Sequence, residues 1–266
     1  MRNIIEIFKK KKLSKTPISV VTCYDYTFSK IISETDVDCI LVGDSLGMVI
    51  QGNESTLPVT LEEMIYHSKS VRKGSPDKCI VCDLPFLSYQ VSIEEGIRSA
   101  GKVMKESGCD AIKIEGGGNY MFELTRRLNE IGIPVMGHLG LTPQSFQTLG
   151  GFKLQGKEIS SQEKMKQDAI HLEKAGNFSV VLEMIPETLG EEITKNLSTS
   201  ATIGIGAGRK VDGQVLVLYD LLGFGKDFHP KFLKKYASLY EVIKNALDNY
   251  SKEVESQSFP EEKNIF

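Results

Sequence analysis

Short apolar runs, each the length of a strand, recur along the chain and alternate with longer segments in which apolar residues return every three or four positions. The runs fall at residues 18–24, 39–44, 78–83, 111–115, 134–138, 179–183, 201–205 and 215–219. Their length and flanking turn residues predict strands rather than helices. The segments between them carry helix punctuation. Thr60 with Glu63, Ser92 with Glu95 and Ser160 with Glu163 have capping-box spacing, in which hydroxyl and carboxylate satisfy otherwise orphaned N–H groups. Gly74, Gly108, Gly132 and Gly176 each follow a helical segment shortly before the next apolar run, where a left-handed C′ glycine belongs. Eight strand–helix units with no polar linker between them predict an α/β fold, a single (β/α)8 (TIM) barrel domain over residues 1–266, with a doubly wound open sheet as the alternative. Residues 1–17 hold a short amphipathic helix, with Ile4, Ile5, Ile7 and Phe8 set against the run Lys9 to Lys12, whose simplest reading is a solvated face. Residues 251–266 are charged and aperiodic and read as a tail.

Composition narrows the function classes. At 266 residues the chain is close to the ~250 typical of such barrels. Its 35 acidic and 32 basic side chains leave a formal charge of -3, so nothing marks a nucleic-acid or anionic-membrane partner. No apolar run approaches the ~20 residues of a spanning helix, and the N-terminus has no apolar signal region, which together predict a cytoplasmic protein. The five cysteines are odd in number and mostly lie within apolar runs, as reduced core thiols would. Cys79 and Cys82 form a C-x-x-C inside a predicted strand, with no second pair for zinc and no helix start for redox chemistry.

The chemistry concentrates at strand ends. Asp44, Asp83, Glu115, His138 and Glu183 close the second to sixth strands, and in a barrel these ends form one mouth. Strand alternation puts Lys113 and Glu115 on one side and Ile112 and Ile114 on the other. With the isoleucines against the helices, the charged pair faces the barrel axis. One strand-end carboxylate is more often a turn or capping residue than a catalyst. Four of them converging with a lysine and a histidine require neutralisation by a cation or by protons. Oxygen ligands with one imidazole and no thiolate favour Mg²⁺ or Mn²⁺ over zinc. His138 suits either a core histidine with a backbone partner or a ligand or substrate contact. Lys113 needs an anion, either Glu115 or a substrate carboxylate. Gly116 to Gly118 read equally as a turn or as a close backbone approach to a ligand, and the glycines from Gly204 to Gly208 lack dinucleotide spacing. With no G-x-S-x-G elbow or Ser-x-His arrangement, acyl-enzyme chemistry has no support.

At these residues the chain resembles the ketopantoate hydroxymethyltransferases, through TCYDYTFSK from Thr22, VGDSLGMV from Val42, CDLPFLSYQ from Cys82, IKIEGG from Ile112, GHLGLTPQS from Gly137, GGFKLQG from Gly150, LEMIPE from Leu182, IGIGAG from Ile203 and DGQVLV from Asp212. Their order and spacing span most of the barrel. The resemblance implies Mg²⁺-dependent transfer of a hydroxymethyl group from 5,10-methylenetetrahydrofolate to 3-methyl-2-oxobutanoate, giving 2-dehydropantoate for pantothenate synthesis. It implies a metal site of Asp44, Asp83 and Glu115, oxo acid binding by Asp44, Ser45, Asp83 and Lys113, Glu183 as proton acceptor, His138 as a substrate contact, and a homodecamer. The sequence departs from the family at LEMIPE, where Cys-Val often stands between Glu and Pro, and in the tail. Two alternatives stand beside this reading. One is a Mg²⁺-dependent 2-oxo acid lyase or mutase barrel of the phosphoenolpyruvate mutase and isocitrate lyase type, whose flexible-loop cysteine motif is not found here. The other is a non-catalytic barrel that binds an oxo acid or folate.

Overall fold

Eight parallel strands close into a barrel in sequence order, β1 next to β2 and so on round to β8 against β1. The strands of this computed structural model are β1 (Ile18–Thr22), β2 (Cys39–Val42), β3 (Cys79–Asp83), β4 (Ala111–Lys113), β5 (Val135–Gly140), β6 (Ser179–Glu183), β7 (Ala201–Ile205) and β8 (Gly213–Leu216). The helices are α1 (Ile4–Leu13), α2 (Tyr26–Ser33), α3 (Leu46–Val49), α4 (Leu61–Gly74), α5 (Ile93–Ser107), α6 (Asn119–Glu130), α7 (Ile159–Lys174), α8 (Glu187–Asn196), α9 (Leu218–Leu221) and α10 (Leu239–Glu255). The structure describes residues 3–151, 153–226 and 228–266, so the start of the first-helix segment and Phe152 of the GGFKLQG string lie outside it. The barrel is thus as expected, and the open sheet is excluded. The last strand sits earlier than the predicted 215–219, and residues 206–212 join β7 to β8 with no helix between them. Asp212 ties off that loop, since its Oδ2 accepts from the Thr202 N–H at 2.9 Å and its own N–H donates to Thr202 Oγ1 at 3.1 Å.

The chain divides into two compact units, Met1–Val217 with the barrel and Leu218–Phe266. In the second, α10 continues past Ser251 to Glu255, into the segment read as an aperiodic tail. None of its residues is buried, and Tyr240, Ile243, Leu247, Tyr250 and Val254 form an exposed stripe at alternating three- and four-residue spacing.

Helix ends explain much of the local folding. Thr60 and Glu63 make the full capping box that opens α4, and the Ser92 hydroxyl accepts from the Glu95 N–H at the start of α5. The third expected box does not form. α7 begins at Ile159 after Glu158, which leaves Ser160 inside the helix while Glu163 turns to Lys166 and Gln167. Gly108, Gly132 and Gly176 adopt the left-handed conformation expected of them. Gly74 does not; a Cβ there would stand 2.6 Å from the Tyr26 carbonyl oxygen, so its role is close packing of α4 on α2.

Alternation along the strands sorts the side chains into layers. Val180 and Leu182 face outward into a cluster with Leu172 of α7 and Ile193 of α8, whereas Val181 between them joins the barrel interior. The interior is apolar at its base, where Val20, Leu41, Val81, Met136 and Ile203 pack with Ile4 and Phe8 of α1. Phe8 is wholly buried and meets Phe178 edge-to-face at 5.2 Å. The basic run of α1 is therefore not simply a solvated face. Lys12 pairs with Asp212 at 2.8 Å and Lys11 with Asp38 at 2.6 Å, which pins the helix across the bottom of the barrel. All five cysteines are buried free thiols. Because the plug lies at the end opposite the mouth, Phe8→Ala should lower stability by about 3–5 kcal/mol in a urea unfolding curve. Activity per folded molecule should stay at the wild-type value; a loss of turnover without loss of stability would refute this division of labour.

Candidate active site

Above the apolar base the same inward-facing register turns polar. Cα pairing sets Asp83 beside Lys113, His138 beside Val181 and Gly140 beside Glu183, so Asp83, Lys113, His138 and Glu183 lie round the C-terminal end of the barrel. β4 ends at Lys113, but its ladder continues through the Ile114 N–H to the Met136 carbonyl and the Gly116 N–H to the His138 carbonyl. This keeps Glu115 on the axis side with Lys113, as alternation predicts, while Ile112 and Ile114 are buried on the other side. Asp44 lies in the turn after β2, where its N–H donates to Asp83 Oδ2 at 3.1 Å. Ser45 follows, its Oγ 2.8 Å from Tyr24 Oη.

Asp44, Asp83, Lys113, Glu115 and His138 are all buried, and Glu183 is partly exposed. Lys113 Nζ lies 3.1 Å from Asp83 Oδ2 and 3.7 Å from Glu115 Oε1. His138 Nδ1 stands 3.2 Å from Glu115 Oε1. On the other edge of the ring, Nε2 is 3.3 Å from Glu183 Oε2, an ion-pair distance whose angle does not make a hydrogen bond. Met184, directly after Glu183, holds a left-handed φ of 48°, bracketed by its N–H on the Ile205 carbonyl and its carbonyl on the Gln155 N–H. Such backbone persists only where the surroundings over-determine it, and it tends to mark functional sites.

Sequence reasoning missed the neutral residues that join these charges. Gln144, on the 3-10 turn Pro143–Ser145 after β5, is 6 % exposed. Its Nε2 donates to Asp44 Oδ2 and to the Leu84 carbonyl, both at 2.9 Å, and its main-chain N–H donates to Glu115 Oε2 at 3.0 Å. Its Oε1 accepts from Tyr89 Oη at 2.8 Å and from Gln90 Nε2 at 3.0 Å. Tyr89 Oη in turn accepts from the Glu115 N–H at 3.0 Å.

The charge balance follows from this crowding. Burial, then the neighbouring Asp83 and Glu115 charges, push Asp44 up to about 8. Burial also raises Asp83, against the opposing pull of Lys113. Burial would raise Glu115 too, but the His138 ring and then Lys113 and the Gln144 N–H hold it below the ordinary carboxylate range. For Lys113, burial would favour the neutral amine, yet the three facing carboxylates hold it above its usual value. His138 is disfavoured as a cation by burial and by Lys113, but Glu115 and Glu183 reverse this and raise it to about 9. Lys113 and His138 are thus held as the cations of the mouth, and burial favours protonation of Asp44 and Asp83.

Comparison with known proteins bears on the family. The family model for ketopantoate hydroxymethyltransferase matches residues 2–262. A 3-methyl-2-oxobutanoate hydroxymethyltransferase from Leptospira interrogans serovar copenhageni is 60% identical over 260 residues, 98% of each chain. One from Leptospira biflexa serovar Patoc is 58% identical over 266 residues, 100% of this chain and 99% of its own. Among solved structures, 2,3-dimethylmalate lyase of the PEP mutase/isocitrate lyase superfamily aligns with a TM-score of 0.61 at 13% identity, covering 100% of this chain and 93% of the lyase. Phosphonopyruvate hydrolase, solved with oxalate and Mg²⁺, aligns with a TM-score of 0.59 at 8% identity over 80% of each chain. At such identities the likeness of the two enzymes to this chain shows the fold alone. Identity of 58–60% over nearly the whole length is a different matter: the chain belongs to the ketopantoate hydroxymethyltransferase family.

Proposed function

We propose that this chain transfers a hydroxymethyl group from 5,10-methylenetetrahydrofolate to 3-methyl-2-oxobutanoate, giving 2-dehydropantoate, as a Mg²⁺-dependent cytoplasmic enzyme of pantothenate synthesis. The observation that carries this reading is the buried Lys113–Asp83–Glu115 group opening onto the partly exposed Glu183, in a chain of this family. No helix among the described residues is long and apolar enough to cross a membrane.

The donor set can be tested against the expected metal. Among the described residues no three His, Cys, Asp or Glu side chains form a ready-made cage. Asp44 and Asp83 adjoin, however, and Asp83 Oδ1 is buried with no hydrogen-bond partner. Two carboxylates completed by water and substrate oxygens suit Mg²⁺, which is usually bound through one or two carboxylates. Asp44 and Asp83 would hold it. Glu115, the third ligand of the resemblance, has Oε1 on His138 and Oε2 on the Gln144 N–H, contacts that orient it and leave lone pairs on both oxygens for the metal. When bound, Mg²⁺ supplies Lewis-acid polarisation of a keto group.

The chain's own residues do the rest in this scheme. Lys113 and Ser45 hold the anionic oxo acid, with Lys113 answering the charge that develops when the C3 proton leaves. Glu183 accepts that proton at a carboxylate oxygen, and His138 orients the carboxylate from 3.3 Å away. The C3 nucleophile then takes the one-carbon unit, and water completes the hydroxymethyl group as tetrahydrofolate leaves. The exposed stripe of α10 supports self-association, which for this family reading means a homodecamer.

Exchange of the C3 proton of 3-methyl-2-oxobutanoate for deuterium, followed by NMR with Mg²⁺ and without folate, isolates the base. Glu183→Gln should slow it by ~10²- to 10⁴-fold while oxo acid binding persists. Exchange at the wild-type rate would remove Glu183 from the role. Asp83→Ala should remain folded by circular dichroism but lose Mg²⁺ binding in calorimetry, because it removes one ligand from the site; unchanged Mg²⁺ dependence and turnover would sink the ligand assignment. Light scattering should give a mass many times 29.5 kDa, and a monomer at micromolar concentration would overturn the oligomer.

A further inference from the structure

We infer that Gln144 is a positioning residue, a neutral strut that holds Asp44 and Glu115 in working geometry and takes its hydrogen-bond direction from the backbone of Glu115 through Tyr89. The inference rests on the reading of Asp44 and Glu115 given above.

The direction is forced at every step. The Glu115 main-chain N–H can only donate, so Tyr89 Oη is its acceptor at 3.0 Å. Having accepted there, the phenol aims its single proton at Gln144 Oε1, 2.8 Å away. A second donor, Gln90 Nε2, reaches the same oxygen, and Gln90 is itself oriented by the Tyr89 N–H on its Oε1 at 3.4 Å. With its oxygen so occupied, Gln144 presents its NH2 to the Leu84 carbonyl, which can only accept, and to Asp44 Oδ2. A flipped amide would set oxygen against oxygen on one side and NH2 against NH2 on the other.

The same residue reaches the second acid through its main chain, donating to Glu115 Oε2. Two carboxylates brought together in a buried mouth repel each other, and Gln144 supplies each with a donor while adding no charge. Neither relative of this amide would serve. A glutamate would bring another anion beside Asp44, and an apolar side chain would take the amide donor from Asp44 Oδ2 and the Leu84 carbonyl and the acceptor from the Tyr89 hydroxyl proton. The 3-10 turn after β5 places Gln144 far from these partners in sequence, 100 residues from Asp44 and 55 from Tyr89. The loop is thereby anchored inside the mouth from three strand ends.

The test is calorimetric titration of Mg²⁺ into wild type, Gln144→Met, Tyr89→Phe and the double variant, alongside thermal unfolding and kcat and KM for the oxo acid. Methionine matches glutamine in length and keeps the main-chain N–H but cannot make the side-chain bonds. Groups that orient ligands from behind typically contribute 10- to 100-fold to metal affinity or activity, so Gln144→Met should weaken Mg²⁺ binding by about 10-fold or more and lower kcat. Tyr89→Phe should give a smaller loss, and the double variant should lose less than the two single losses combined, because part of the tyrosine's effect runs through the glutamine. A merely structural residue would lower the unfolding temperature and leave Mg²⁺ affinity and kcat of the folded protein unchanged, and that result would overturn the inference. If Gln144→Met does not fold, Tyr89→Phe decides: wild-type Mg²⁺ affinity and kcat in that variant reject the strut. A wild type that takes up no Mg²⁺ refutes the metal reading itself, and with it this role, whereas equal binding by wild type and Gln144→Met refutes the strut alone.

Discussion

The structure depends on how a closed barrel can bury several acids at one end. Each carboxylate removed from water costs several kcal/mol unless a partner offsets it. Here Lys113 is the central compensation, within 4 Å of both Asp83 and Glu115. Its position comes from the two-residue repeat of a strand. A residue on β4 two places above Ala111 must face the axis, and the next inward position is Glu115. Compensation is incomplete, because one lysine and one histidine face Asp44, Asp83, Glu115 and Glu183. The residual shows in Asp44, which burial and its neighbours push up to about 8. A site balanced in this way favours a divalent cation or an equivalent positive charge brought in by ligands.

The rest of the barrel makes that arrangement tolerable. The apolar base and the α1 plug close the far end, so the polar layer meets water from one side only. In such a setting electrostatic interactions are stronger than at a surface, for the mutual repulsion of the acids as much as for their attraction to Lys113. Ordering is therefore needed as well as charge. It comes from main-chain donors, the Asp44 N–H on Asp83 and the Gln144 N–H on Glu115, which cannot rotate away.

The charged half of this site was legible in the sequence because charge is conspicuous where a strand pattern ends. Asp44, Asp83, Lys113, Glu115, His138 and Glu183 were all recognisable, and strand alternation set the direction of Lys113 and Glu115 correctly. Tyr89, Gln90 and Gln144 were not recognised as part of it. They are neutral, they lie on loops with no periodicity, and their importance arises from contacts across long stretches of chain that pattern alone does not reveal. The same reason explains the errors in the fold. The Ser160–Glu163 pair has capping spacing, but competing partners for Glu163 and an earlier helix start decide against it. The connection from β7 to β8 breaks the strand–helix rhythm because Asp212 closes it as a hydrogen-bonded loop.

Resemblance to the lyase and hydrolase barrels separates what the architecture supplies from what this family adds. At 8–13% identity with TM-scores near 0.6, what those enzymes share with this chain is the fold. An apolar base beneath inward-facing strand ends is available to any barrel of this kind, so the strands alone do not choose a reaction. The choice lies in what the loops deliver to the mouth. Here the turn after β2 brings Asp44 and Ser45, the loop after β3 brings Tyr89 and Gln90, and the 3-10 turn after β5 brings Gln144 between them. These three loops meet through the side chains of Asp44, Tyr89, Gln90 and Gln144. A loop that loses one of these partners alters the position of acids on two other strands, so the loops must function, and change, as a set.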